Sequence, residues 1–296
     1  MILITGSTGF LGKAIIKELD HLTIETLCRS NSSYNFDLSK EIPHVNGQYE
    51  CVIHAAGKAH IVPTTEDEKH DFFNINVNGT KNLLRGLEKV ASLPKYFIFI
   101  SSVAVYGLEN GVNIAEDTQL NSVDPYGKSK IEAEHLVQNW CRENNILCSI
   151  LRLPLLVGQN PPGNLGAMIK GIRKRYYVNI AGGRAKKSMV LAEDVAKIIP
   201  KVAKIGGIYN LTDDYHPSFK ELSNLIADQL GKNQPLNLPY SIAKLIAIMG
   251  DLLGNIAPIN SDKLKKITSD LTFDDSKAQN ILGWNPTPVL KGLKIK

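Results

Sequence analysis

Met1-Ile2-Leu3-Ile4-Thr5-Gly6-Ser7-Thr8-Gly9-Phe10-Leu11-Gly12 opens the chain, and its reading decides the fold. Residues 1–5 are apolar or β-branched without alternation, the pattern of a strand buried on both faces. Residues 10–19 follow with apolar positions at helical spacing. Between the two, Gly6 permits a tight turn and Gly9 lets backbone N–H groups approach an anion. Gly12 lets the helix pack close to the strand. The helix N-terminus adds roughly half a positive charge, so the loop is expected to seat a pyrophosphate. A glycine trio alone fits a purely structural turn equally well. Its place at the first strand of an alternating chain argues for a dinucleotide site.

Working outward, residues 23–28, 51–56, 96–102 and 147–153 repeat the buried-strand pattern, with helical segments expected over 75–90 and 131–144. Strand–helix–strand repetition predicts an α/β fold, a Rossmann-type doubly wound parallel sheet. After Gly158 the grain changes. Pro161-Pro162-Gly163, Gly182-Gly183 and Gly206-Gly207 mark turns, and helical patterns over 165–175, 219–230 and 242–253 dominate. The expected division is a dinucleotide-binding part over 1–158 and a smaller, mostly helical substrate-binding part over 159–296, with some later segments returning to the sheet.

At 296 residues, 43% apolar and 21% charged, the composition is that of a globular chain and excludes a disordered or fibrous one. The longest weakly charged runs, 98–107 and 239–250, fall short of a bilayer span. The start shows no basic leader or small-residue cleavage site, so no signal peptide is expected. Cys28, Cys51, Cys141 and Cys148 have neither CxxC spacing nor histidine partners, which suggests a reducing cytoplasm, no disulfide framework and no metal site. A net charge of +5, from 34 basic against 29 acidic side chains, is too small to argue for nucleic acid. It suits an anionic small ligand.

The second strand ends Thr26-Leu27-Cys28-Arg29, with no carboxylate for a ribose 2′-hydroxyl. Arg29 stands there instead, either to pair with a 2′-phosphate or as a solvated side chain; the first favours NADP over NAD. Glu25 lies within the strand and points away if Cys28 or Arg29 faces the cofactor. Tyr126 and Lys130 lie four apart in Asp124-Pro125-Tyr126-Gly127-Lys128-Ser129-Lys130, on one face of a helix start. A nearby ammonium, together with the positive nicotinamide ring of an oxidised cofactor, is expected to lower the phenol's pKa and give a general acid/base for a carbinol–carbonyl pair. Ser102 ends the strand before it and offers a hydroxyl to the same oxygen. A lone Tyr-x-x-x-Lys is common by chance; the order glycine loop, Ser-Ser strand end, Tyr-x-x-x-Lys is not.

In that order the chain resembles an extended short-chain dehydrogenase/reductase of the NAD-dependent epimerase/dehydratase family, which modifies nucleotide sugars. The resemblance spans nearly the whole chain. It includes His54-Ala55-Ala56-Gly57, Asn76-Val77-Asn78-Gly79-Thr80, Arg152 to Gly158, Asn164, Asp194-Val195-Ala196 and Leu282-Gly283-Trp284-Asn285-Pro286. It implies that Phe10 and Leu11 offer backbone groups to the diphosphate, that Asp37 bonds the adenine amine and that Leu38 packs on the ring. Ala55, Ala56 and Gly57 would line the ribose, and Asn76 would support the nicotinamide end. Ser101, Tyr126, Lys130 and Pro154 would complete the cofactor contacts. Asn164 and Lys187 fall where the family holds a sugar-nucleotide diphosphate, Lys187 in place of a more usual arginine. Family habit also implies a homodimer.

Dehydratases of this family carry Thr-Asp-Glu where this chain has Ser101-Ser102-Val103, so dehydration is not expected. The segment 240–253 reads either as a helix packed over the substrate part or as an apolar surface meeting a membrane or lipid-linked sugar. Local similarity to bacterial 4-epimerases acting on a lipid-diphosphate sugar gives the second some weight. Three functions follow: an NADPH-dependent 4-ketoreductase, a 4-epimerase with retained NAD, and a non-catalytic cofactor-sensing module. An intact Ser102/Tyr126/Lys130 set speaks against the third, and Arg29 tips the first two toward reduction.

Overall fold

The computed structural model describes residues 1–59, 63–252 and 259–295. Its strands are β1 (Ile2–Thr5), β2 (Ile24–Cys28), β3 (Tyr34–Asn35), β4 (Cys51–His54), β5 (Tyr96–Ser102), β6 (Gly111–Ile114), β7 (Leu147–Leu153), β8 (Leu155–Val157), β9 (Val178–Ile180), β10 (Met189–Leu191), β11 (Gly207–Asn210), β12 (Leu236–Leu238) and β13 (Leu271–Phe273). Helices are α1 (Phe10–Glu18), α2 (Glu66–Phe73), α3 (Gly79–Leu87), α4 (Pro125–Glu143), α5 (Gly163–Arg173), α6 (Ala192–Ile205), α7 (Phe219–Gln229), α8 (Tyr240–Asp251), α9 (Ser261–Thr268), α10 (Ser276–Leu282) and α11 (Val289–Gly292).

Seven strands form one parallel sheet in the order β3-β2-β1-β4-β5-β7-β11. Both faces are covered, which is why the strands read as unbroken apolar runs. Ile4, Ile53, Ile98 and Leu151 meet Leu11 and Ile15 of α1 and Val195 and Ile199 of α6. Their neighbours Leu3, Val52, Phe97 and Ile150 point to the other face, against Leu83 and Leu87 of α3 and Val137 and Trp140 of α4. The order reverses between β1 and β4, and ligands of such sheets bind at that switch, beyond the carboxyl ends of the strands. β11 and α6 lie beyond residue 158 yet belong to the sheet layer. A separate core, with Val157, Leu165, Met189, Leu222 and Val289, holds the second lobe.

Two helices begin earlier than their apolar pattern suggests. α4 starts at Pro125, not 131, because Asp124 caps it through a 3.0 Å bond from Gly127 N and proline suits the first turn. Helix also begins at Glu66, not 75, set by the Thr65/Glu68 capping box. It then passes through a π-helical turn at Asn74–Asn78 into α3. The charged stretch 66–71 carries no apolar period to betray it.

His54 ends β4 fully buried, and its partners fix its tautomer. Ala56 N donates to Thr5 Oγ1 at 3.2 Å, while Thr5 Oγ1 and His54 Nδ1 lie 2.6 Å apart. On the other side Nε2 lies 2.9 Å from Thr80 Oγ1, which donates to the Asn76 carbonyl at 2.6 Å. Thr80 has spent its proton, so Nε2 carries the imidazole hydrogen and Nδ1 accepts from Thr5. Burial, with the charge of Lys130 adding to it, holds the imidazole pKa down at about 3 against an ordinary 6.5. The unfolded chain therefore binds a proton that the native chain refuses, and stability falls as pH drops from about 6.5 toward 3. In urea melts near neutrality and near about pH 5, H54Q is expected to lose less stability between the two conditions than the parent, while costing about 1–3 kcal/mol at neutrality for the broken chain of bonds. Equal pH slopes would sink the neutral assignment.

Candidate active site

The loop after β1 is shaped by its glycines. Gly6 sits at φ +73°, and a Cβ there would lie 2.6 Å from Ala56 N; one on Gly12 would lie 2.1 Å from the Gly6 carbonyl. Loop, helix and the end of β4 thus touch through backbone alone. Gly9 is the N-cap of α1 and provides no side-chain cap, and the bond from Lys13 N to Gly9 O at 3.0 Å is the first of the helix. The amides of Phe10, Leu11 and Gly12 have no intrahelical acceptor. With no acid in the first turn, this cradle fits a dinucleotide's diphosphate.

At the end of β2, Arg29 is exposed, while Glu25 accepts from Tyr49 Oη at 2.6 Å and is turned away from that edge. Cys28 Sγ shares a 3.0 Å hydrogen bond with Ser7 Oγ. Burial raises the thiol's pKa, but hydrogen bonds from Ser7 and Thr8 outweigh it and leave the thiol below its ordinary value. Asp37 Oδ1 accepts from the Ser39 hydroxyl at 2.6 Å and the Ser39 amide at 3.1 Å, which hold this carboxyl below its usual range. Asp37 thus shapes its own turn, with Lys40 3.7 Å from Oδ2. Leu38 is buried against Gly79.

Ser102, Tyr126 and Lys130 converge at the ends of β5 and α4. Ser102 Oγ accepts from Ala104 N at 3.2 Å, and its hydroxyl stands near enough to the Tyr126 phenol to draw that phenol's pKa down. Gly127 makes the approach possible, since a Cβ there would sit 2.6 Å from the Ala104 carbonyl. Lys130 is buried, donates to the Ile100 carbonyl at 2.7 Å and lies 4.3 Å above the Phe99 ring. Burial lowers its pKa from 10.5 to about 8, against an upward pull from Glu134. The chain's own groups do not by themselves lower the phenol's pKa. Tyr126 stands above, not below, the ordinary phenol value, because burial outweighs the pull of Ser102 and the Lys130 amine is turned to a carbonyl.

The loop after β4 completes the set. Gly57 faces Asn76 and Lys130; a Cβ there would be 3.0 Å from Asn76 Oδ1 and 3.8 Å from Lys130 Nζ. Asn76 accepts from Lys58 N at 2.7 Å and donates to Lys58 O at 3.1 Å and Ser129 Oγ at 2.9 Å. Ser129 in turn donates to the Tyr126 carbonyl at 2.7 Å. With its amide spent within the chain, Asn76 ties the Ala55–Gly57 loop to the start of α4. The Ser101 hydroxyl bonds Glu134. Glu134 pairs with Arg152 through bonds of 3.2 and 2.8 Å, and Arg152 continues to Tyr106 Oη at 3.1 Å. Neither this network nor the roles of Asp124 and Gly127 was drawn from the sequence; the glycine between Tyr126 and Lys130 was the available signal.

Pro154 is half-buried between β7 and β8, while Asn164 is exposed in the first turn of α5. Lys187 is half-buried and donates to the Lys266 carbonyl at 3.0 Å in the last turn of α9. Burial lowers its pKa, with Asp270 and Glu109 opposing. In this structure its amine is thus held by the end of α9.

Comparison with known proteins agrees with this geometry. The family model described as "NAD dependent epimerase/dehydratase family" matches residues 2–211. The chain is similar to the N-acetyl-alpha-D-glucosaminyl-diphospho-ditrans,octacis-undecaprenol 4-epimerase of Escherichia coli O157:H7, at 27% identity over 99% of this chain and 92% of that one. It is equally similar to a UDP-glucose 4-epimerase of Vibrio cholerae, at 27% identity over 98% and 92%. Among solved structures, the UDP-glucose 4-epimerase of Thermotoga maritima shares the fold with a TM-score of 0.76, at 21% identity over 99% and 96% of the two chains. With its glycine cradle, switch-point sheet and Ser102/Tyr126/Lys130 cluster, the chain belongs to the NAD dependent epimerase/dehydratase family.

Proposed function

We propose that this protein is an NADPH-dependent 4-ketoreductase of a nucleotide-diphosphate sugar. The observation that carries the reading is the end of β2, where Arg29 is exposed and the nearest acid of the strand, Glu25, is committed to Tyr49. A guanidinium there complements a 2′-phosphate, whereas the end of β2 itself offers a ribose diol no carboxylate. A reduced nicotinamide, when bound, supplies the hydride that converts a ketone at sugar C4 to an alcohol.

The chain's own groups do the rest. The open amides of Phe10, Leu11 and Gly12 bind the diphosphate, and Arg29 selects the phosphorylated ribose. Lys130, beside Gly57, orients the nicotinamide ribose. Tyr126 Oη holds the proton that goes to the sugar O4, and its raised pKa keeps that proton in place at neutrality. Ser102 Oγ steadies the same oxygen. Asn164 and Lys187 bind the substrate's diphosphate from the second lobe. With no acid in Ser101-Ser102-Val103, the site lacks the pair that an elimination needs.

A second reading, 4-epimerisation of a nucleotide- or lipid-diphosphate sugar with retained NAD, uses the same residues and is favoured by the names of the relatives. Cofactor released by heat from fresh protein, with NADPH and NADH titrations of the stripped enzyme, separates the two. The reductase is expected to prefer NADPH at least tenfold, about 1.4 kcal/mol, and R29A to abolish that preference. Retained NAD+ without 2′-phosphate discrimination would favour the epimerase and remove Arg29 from the argument.

Y126F is expected to lower kcat by about 10²–10⁴-fold while leaving the NADPH Kd within about twofold. Lys130 loses its proton near pH 8 in the free enzyme, so NADPH affinity should fall as pH rises through about 8. In K130M affinity should be weaker and that slope absent; a parental slope in K130M would count against the role.

A further inference from the structure

α8 is built inside out. Its buried seam is Ala243, Ala247 and Gly250, set against Leu264 of α9 with Ile180 and Leu238. The large side chains face solvent instead: Leu245 is 65% exposed, Met249 69% and, just past the helix end, Leu252 90%, with Ile242, Ile246 and Ile248 beside them. At about 100° per residue, Leu245, Met249 and Leu252 stand opposite the small-residue seam. Packing within the chain explains the alanines and leaves the leucines unexplained.

Charge says what covers them. β12 leads into α8 and pairs with β9, which follows the basic end of α5, and α9 packs against the same small-residue seam. By sequence, residues 170–180 and 232–268 hold nine basic and two acidic side chains; Lys266 of this set is paired with Glu109 at 2.8 Å, which leaves a surplus of six in a chain whose total is only +5. Lys174, Arg175, Lys244 and Lys265 of this set are exposed. A two-fold pairing of this face with a second copy would set the surplus against itself. An anionic lipid surface complements both features, the apolar ridge and the basic surplus of the segments packed beside it. No described helix is long and apolar enough to cross a membrane, and α8, at about 18 Å, is far shorter than a hydrocarbon core of about 30 Å.

We propose that α8 docks this protein on anionic phospholipid membranes, lying in the plane of the interface with Leu245, Met249 and Leu252 among the acyl chains and the neighbouring lysines and arginines at the phosphates. The proposal rests on the surface alone and stands apart from the choice between reductase and epimerase. The test is flotation of the full chain with vesicles of phosphatidylcholine alone or mixed equally with phosphatidylglycerol, at low and high salt. The protein is expected to float with the mixed vesicles, to bind pure phosphatidylcholine at least tenfold more weakly, and to be released by salt. L245S/M249S, altered only at exposed positions, should lose at least tenfold in vesicle binding while NADPH binding and thermal stability stay at parental values. Failure of the parent to float with mixed vesicles, or equal flotation of the variant, would overturn the proposal. So would a fall in mass from dimer to monomer in the variant by light scattering without lipid, because the face would then belong to a second copy.

Discussion

A charge pair buried under the catalytic residues sets their frame. Glu134 is fully buried and Arg152 nearly so, 2.8 Å apart at their closest. One comes from α4, a turn beyond Lys130, and the other from β7. Removing either would strand an uncompensated ion in the core, at about 3–5 kcal/mol. Through Ser101 the pair reaches β5, and through Tyr106 and Asn210 it reaches β11. The helix carrying Tyr126 and Lys130 is therefore pinned at one depth and rotation against the strand end that carries Ser102. Its carboxylate also draws the pKa of Lys130 upward against burial. One ion pair thus ties the placement of the site to its protonation.

Much of this was legible in the sequence because it rests on local rules. The turn at Gly6, the runs that became β1, β2, β4, β5 and β7, and the four-residue spacing of Tyr126 and Lys130 each depend on a few neighbouring residues. What escaped depends on long-range partners. The phenol's displacement in Tyr126 follows from burial and from where the Lys130 amine points, neither of which spacing can report. The bond from Ser101 to Glu134, thirty-three residues later, and those joining Asn76 to Lys58 and Ser129 could not be drawn from local spacing. Short strands such as β8 and β10 carry three residues each, too few for a period to emerge.

Polar groups at the switch point work mainly as joints. Thr5, His54, Thr80 and Asn76 form a line of bonds from β1 through β4 to the π-helical turn, and Asn76 extends it to Ser129 on α4. Four segments distant in sequence therefore meet around a backbone-lined opening whose own walls, Gly6, Gly9 and Gly57, have no side chains to adjust. Rigidity comes from the joints and access from the glycines. Lys187 is tied by its amine to the Lys266 carbonyl of α9, and Lys266 in turn pairs with Glu109 after the β5 strand end.

The late return of β11 to the sheet has a consequence for the order of synthesis. β7 leaves the ribosome with one edge paired to β5 and the other bare, and its partner Gly207–Asn210 follows only after roughly fifty more residues. At about 5–20 residues per second that edge stays open for several seconds. Its chemistry is a row of free amides and carbonyls beside Ile150 and Leu151, the kind of template on which another chain can add a strand. Residues 149–152, which pair with Gly207–Asn210, are those a holdase would have to shield until α6 and β11 arrive. The nucleotide-binding half is thus written first but closed last, by residues from the other half of the chain.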